Sequence, residues 1–421
     1  MRDILEREIL PALGCTEPIA VAYAAATAYK EIEGNIHSVE CYASGNIIKN
    51  VTSVIIPGTN GLCGMKAAVA AGIAAKTPEL KMEVLSSLDD TKLTVLRKLL
   101  NEDKITVRPS KSDKGLYIEV KVITDHGYAL VLIEDAHDNI VYIEKNSEVI
   151  YEVICKDKRV EEYSDGVCED LSLEKILQYI ENASLENLDV VKKSILLNKK
   201  ICDEGLKNNY GLAMGKYLKD LNLSGEISNN GLQQIISTTV AGTDARMAGC
   251  SLPAMSNSGS GNQGIATTMP VVSYGEHINA SEEKIIRAAA LSNLVTISIK
   301  NKLGRLSSLC GVVLASAGAS CGIIYLLDGN IEEMEKSINN VMGNIAGMFC
   351  DGAKAGCSLK VATGIFVAII SAHKALEGNS IKGTDGIVEN SVEKTIDNYS
   401  RVSENIFKSL DYVLLDIMLQ K

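Results

Sequence analysis

The chain has 421 residues, a net charge of −11, a pI near 5.2 and 46% apolar residues, which is length and apolar content for two or three domains with a large core. No basic footprint offsets the acidic balance, and this excludes a nucleic-acid partner. The opening MRDILEREIL carries five charges in ten residues, so it does not read as a secretory leader and a cytoplasmic location is expected.

Aromatics are scarce, with no Trp and three Phe. Ala, Gly, Ile and Leu must therefore fill the core, and small side chains let helices approach closely. Residues 1–33 read as helix, with Thr16 as N-cap and Pro18 in the first turn of CTEPIAVAYAAATAYKEIE. Residues 37–56 are a β-like run that meets Pro57-Gly58 before the Ala-rich helix of MKAAVAAGIAAK. From about 103 to 153, short β-branched runs between Gly, Asp-His and Asp-Asn turns predict an antiparallel meander with one solvated face. Beyond about 170 the chain reads as helical to its end, apart from the uncharged stretch Met247–Gly275 with its SNSGSGNQG.

The expected fold class is α+β. A helical main body (1–85 and 170–421) carries an inserted antiparallel β-containing domain (86–169). Leu306–Leu327 is long enough to span a bilayer and has no charge. Its Ser, Gly, Ala and Cys content predicts buried core helix instead, so no membrane partner is expected.

Eleven cysteines in an acidic chain of this kind point to metal binding, catalysis or plain burial rather than a disulfide framework. Cys41, Cys63, Cys155, Cys168 and Cys202 share no spacing and read as small buried hydrophobes. Cys310, Cys321, Cys350 and Cys357 remain, with Cys15 and Cys250 as outliers. An unbroken helix would hold Cys350 and Cys357 about 10 Å apart along its axis. Gly352 and Gly356 predict a helix end and a turn, which lets the two thiols converge. Spacing alone leaves zinc, an iron–sulfur cluster and inert burial open.

Taken together, GCTEP, IPGTNGLCG, SGSGNQGI, GRLSSLCG and MFCDGAKAGCSLKV resemble the L-cysteine desulfidase branch of the iron–sulfur L-serine dehydratase alpha-chain-like family. The resemblance covers nearly the whole chain outside the β-rich insertion. It implies a [4Fe-4S] cluster held by Cys310, Cys350 and Cys357 with one iron open to substrate, and Cys321 left in the core. The seven-residue step between the last two ligands resembles the desulfidase branch and favours L-cysteine, with L-serine as the alternative substrate. It further implies β-elimination to pyruvate and ammonia, with sulfide from cysteine and no pyridoxal phosphate. A non-catalytic iron–sulfur sensor is the competing class.

Such a reaction needs a base for the Cα proton. Cys15 is the candidate: it precedes a helix start, where the dipole lowers a thiol pKa, and the resemblance also marks it, as base or as a displaceable fourth iron ligand. Glu17 is the alternative. The substrate carboxylate needs donors, expected from Thr59, Asn60 and Gly61 ahead of the Ala-rich helix, and from Ser258, Ser260, Asn262 and Gln263 in a flexible loop over the site. Of five histidines, His277 is the one to test; His126 and His137 read as turn residues. Lys354, between the two cysteines, reads as screening the cluster's charge, touching the substrate or serving as a plain turn lysine. Close-packed Ala/Gly helices and exposed apolar faces make a homodimer the expected assembly.

Overall fold

The computed structural model describes residues 1–153, 171–221, 231–303 and 309–420. It is α+β, 61% helical and 13% strand. Cys155 and Cys168 lie outside the described residues, as do residues 304–308 at the head of GRLSSLCG.

The expected first helix is two helices split by a strand. Helix α1 (Arg2–Glu8) ends before β1 (Pro11–Leu13), and α2 (Thr16–Ile32) follows. Gly14 makes the break, with φ +65°; a Cβ there would lie 2.3 Å from Pro57 Cγ, so only glycine allows this turn. Cys15, not Thr16, is the N-cap of α2. Strand β2 (Ile36–Ala43), α3 (Gly45–Val51), α4 (Met65–Ala75) and α5 (Asp90–Asn101) come next.

The remaining strands of this part are β3 (Ile105–Pro109), β4 (Tyr117–Thr124), β5 (Gly127–Glu134), β6 (Ile140–Lys145) and β7 (Glu148–Glu152). The sheet order is β3-β2-β4-β5-β6-β7. Strands β4 to β7 form the antiparallel meander, whereas β2 and β3 are parallel. Burial alternates along β4 and β5. The inward Ile118, Val120, Val122, Val131 and Ile133 share an apolar cluster with the Ala-rich faces of α2 and α4. Buried apolar residues from Ile19 on α2 to Ile133 on β5 share this one cluster. Strand β2 sits between β3 and β4 in the sheet, so its flanking helices pack on the same face.

A second cluster joins α1 to the C-terminal helices. These are α6 (Leu173–Asn182), α7 (Asp189–Lys207), α8 (Met214–Asp220), α9 (Gly231–Met247), α10 (Gly261–His277), α11 (Glu282–Leu303), α12 (Gly311–Leu326), α13 (Ile331–Ile345), α14 (Cys357–Leu376), α15 (Val392–Val402) and α16 (Lys408–Leu419). Helix α12 is the described part of the uncharged Leu306–Leu327 stretch, and nearly all of it is buried inside the fold. Among the described residues one helix, α14, is long and apolar enough to cross a bilayer, and half of that window is buried.

Strand β1 pairs antiparallel with β8 (Pro253–Met255). The pairing continues past the strands, where Ser258 N donates to Glu8 O at 2.9 Å. Two segments about 240 residues apart, Gly14-Cys15 and Ser256–Ser260, are thereby drawn to the same place, where Thr16 Oγ1 donates to Gly259 O at 3.0 Å.

Candidate functional site

Three thiols line one cavity of about 140 Å³: Cys310, Cys350 and Cys357. A β-bridge between Leu309 and Phe349 and a bond from Cys310 N to Met348 O of 3.0 Å bring the first two side by side. Cys310 then caps α12. Cys357 begins α14 after the turn Asp351–Gly356, where Gly352 takes φ +93° and approaches Lys49 O too closely for a Cβ. The expected helix end and turn between Cys350 and Cys357 is therefore present. Burial pushes the Cys310 thiol up, and the neighbouring Cys350 adds to it; burial likewise raises Cys357, again with Cys350 contributing. Lys360 reaches this wall, donating to Asp351 Oδ1 at 2.6 Å and Phe349 O at 2.8 Å. Lys354 instead pairs with Asp351 and does not line the cavity.

Among the described residues, no three His, Cys, Asp or Glu side chains converge tightly enough to grip a single ion. Zinc would draw its thiolates to within about 2.3 Å of one centre. A polynuclear cluster takes one thiolate per iron, and Cys310, Cys350 and Cys357 on one cavity wall supply that kind of donor.

Cys15 and Glu17 also line the cavity. Cys15 Sγ donates to Glu17 Oε2 at 2.9 Å, and Asn50 Nδ2 donates to Glu17 Oε1 at 2.9 Å. The expected lowering of the Cys15 pKa does not occur. Burial drives it well above the ordinary 9.0, and the Glu17 charge adds to the rise. Burial also pushes Glu17 upward, but the His137 charge, the Cys15 S–H bond and the Arg246 charge together outweigh it and hold the carboxyl below 4.5. At neutral pH the pair is a thiol donating to a carboxylate.

The SNSGSGNQG stretch is not a flexible loop. Ser260 N-caps α10, accepting from Gln263 N at 3.3 Å. Its glycines serve close contact: a Cβ on Gly264 would stand 2.0 Å from Met255 O. Ser260, Asn262 and Gln263 line the cavity. Ser258 is turned inward, donating to Asn257 Oδ1 at 3.1 Å, and Gln263 Nε2 donates to the same oxygen at 3.0 Å. Thr59, Asn60 and Gly61 are not in the cavity wall. Thr59 is buried and donates to Ile56 O at 2.7 Å, while Asn60 and Gly61 are exposed with φ of 58° and 94°. That loop supports the site from behind, through Pro57 packed on Gly14.

Arg246, Lys300, Asn46 and Lys49 are also in the wall, and none was expected from the sequence. His137, read as a turn residue, lies beyond the β5 strand end in a smaller adjoining cavity with Glu17, Ser258, Ser260 and Lys300. His277 packs against Gly231 instead. Cys41, Cys202 and Cys321 are buried as expected, but Cys63 is exposed, because it follows the φ-positive turn at Asn60-Gly61.

A family model described as serine dehydratase alpha chain matches residues 90–416. A UPF0597 protein of Clostridium perfringens (strain SM101 / Type A) is 41% identical, over 99% of this chain and 97% of its own length. UPF0597 proteins of Oleidesulfovibrio alaskensis and Parabacteroides distasonis are each 38% identical, over 100% of this chain and 97% of theirs.

Proposed function

The chain belongs to the serine dehydratase alpha-chain family, and on that premise we propose that it is an iron–sulfur-dependent lyase that eliminates the β-substituent of a small α-amino acid. L-cysteine is the first substrate to test and L-serine the alternative. The observation that carries this reading is the facing arrangement of Cys310, Cys350 and Cys357 with the Cys15–Glu17 pair around one cavity.

Cys310, Cys350 and Cys357 would hold a [4Fe-4S] cluster. When bound, it supplies an open iron that acts as a Lewis acid toward the leaving thiol or hydroxyl. Lys360 offsets part of the negative charge of the thiolates, and its own charge is secured by Asp351. Cys15 and Glu17 handle the Cα proton. The thiol's proton passes to the carboxylate, and the sulfur so freed takes the proton from Cα. The aminoacrylate product hydrolyses to pyruvate and ammonia.

The test is iron and acid-labile sulfide per chain after anaerobic preparation, with sulfide and pyruvate release from L-cysteine and L-serine measured side by side. The expected result is about four of each per chain, lost in Cys350→Ser together with product release. Negligible iron in the wild type after reconstitution would overturn the reading. Iron without product would leave a sensor.

A further inference from the structure

Arg246 stands near the end of α9 and is only 2% exposed, yet its guanidinium makes no ion pair among the described residues. Its Nη1 donates to the neutral Asn262 Oδ1 at 3.0 Å, and its Nε has no hydrogen-bond partner. The Glu17 carboxylate feels the Arg246 charge but hydrogen-bonds Cys15 and Asn50 instead.

The guanidinium also rests on the first turn of the 17-residue helix α10. A Cβ at Gly261 would stand 2.2 Å from Nε and 2.8 Å from Nη2. A buried cation without a direct ion pair is unfavourable, and the positive end of a helix beside it makes the spot more so. Both features face the cavity that Cys15 and the three thiols line.

We propose that Arg246 is the anchor for the substrate's α-carboxylate, which forms the direct ion pair that the guanidinium lacks. A planar guanidinium matches a carboxylate in shape as well as charge. Anchored there, an α-amino acid lies between the Cys15–Glu17 pair and the thiol wall. The class of ligand is thereby narrowed to free α-carboxylates, excluding amides and peptides joined through that group. This inference rests on the amino-acid lyase reading above.

The test is calorimetric titration of the anaerobic holoprotein with L-alanine, which lacks a leaving group, and with L-alaninamide, which lacks the carboxylate. The wild type should bind L-alanine at least about tenfold more tightly than the amide. Arg246→Gln should lose at least about tenfold in L-alanine affinity, and Arg246→Lys should recover part of it. Without ligand, Arg246→Gln should melt no lower than the wild type, whereas a structural arginine would lower the melting temperature. Should Arg246→Gln fail to fold, Gly261→Ala displaces the guanidinium without removing it and should give the same loss. Equal binding of alanine and its amide by the wild type, or unchanged alanine binding in these variants, would overturn the proposal. Arg246-dependent alanine binding without turnover of cysteine or serine would keep the anchor and sink the lyase reading. Turnover with an unchanged KM in Arg246→Gln would do the reverse.

Discussion

Cys15 and Glu17 are two residues apart, and their protons belong to the pair. The resting form, thiol beside carboxylate, and the reactive form, thiolate beside carboxylic acid, carry the same number of protons. Their ratio is therefore independent of pH between the depressed Glu17 pKa, below 4.5, and the raised Cys15 pKa, above 9.0. From this pair, kcat/KM should be flat from about pH 6 to 9. In Glu17→Gln the thiol has no carboxylate to give its proton to and must ionise to solvent, so the flat profile should become one that climbs with pH. A wild-type profile rising tenfold per pH unit across that range would show Cys15 acting alone. The helix-start position of Cys15 was legible in GCTEP; burial and the carboxylate neighbour, which reverse the pKa direction, were not. Arg246 and Lys300 escaped for a related reason, since nothing local to either residue tells which cavity it faces. One signal was available for the arginine: between Glu226 and Glu276, Asp244 and Arg246 are the only charged residues.

Small residues determine how the elements meet. Helices α2 and α4 cross with their backbones almost touching, and a Cβ on Gly72 would lie 2.0 Å from Ala22 O. An ordinary mid-helix Gly→Ala change stabilises by about 1 kcal/mol. Gly72→Ala should instead destabilise by about 1–3 kcal/mol, because the contact it invades is rigid backbone rather than a side chain that can turn away. A urea midpoint at or above the wild type would show that the two helices can separate freely. The Ala-rich pattern predicted this close approach, and the alternation in β4 and β5 predicted the solvated face of the sheet. The parallel partnership of β2 with β3 was not legible, since α3, α4 and α5 intervene and no local pattern signals a crossover. The same holds for the β1–β8 pairing, formed by two three-residue strands too short to show any period. The glycines of SNSGSGNQG were visible but ambiguous: loop flexibility and close helix packing use the same residue.

The candidate site lies where the two large apolar clusters meet, with α2 and α3 on one side and α9, α10, α12 and α14 on the other. The C-terminal helix α16 reaches across to α3, where Leu415 packs at Gly45 and Asp411 forms an ion pair with Lys49. Lys49 is 3% exposed and Asp411 20%, so the buried ammonium sits against this carboxylate, its one ion-pair partner among the described residues. Removing one member of a fully buried pair costs about 3–5 kcal/mol; with Asp411 partly in water, Asp411→Ala should cost roughly 2 kcal/mol. The loss comes mostly from stranding the Lys49 ammonium, not from losing attraction. Replacing both members with apolar side chains, as in Lys49→Met with Asp411→Leu, should therefore restore most of it. Urea unfolding of the single and double variants separates the two accounts. A double variant as unstable as the single would mean that α16 is held by its apolar contacts and that Lys49 is hydrated from the cavity. Recovery would mean that α16 pairs with a cavity-lining residue on α3, tying this helix to the wall that Asn46 and Asn50 also form.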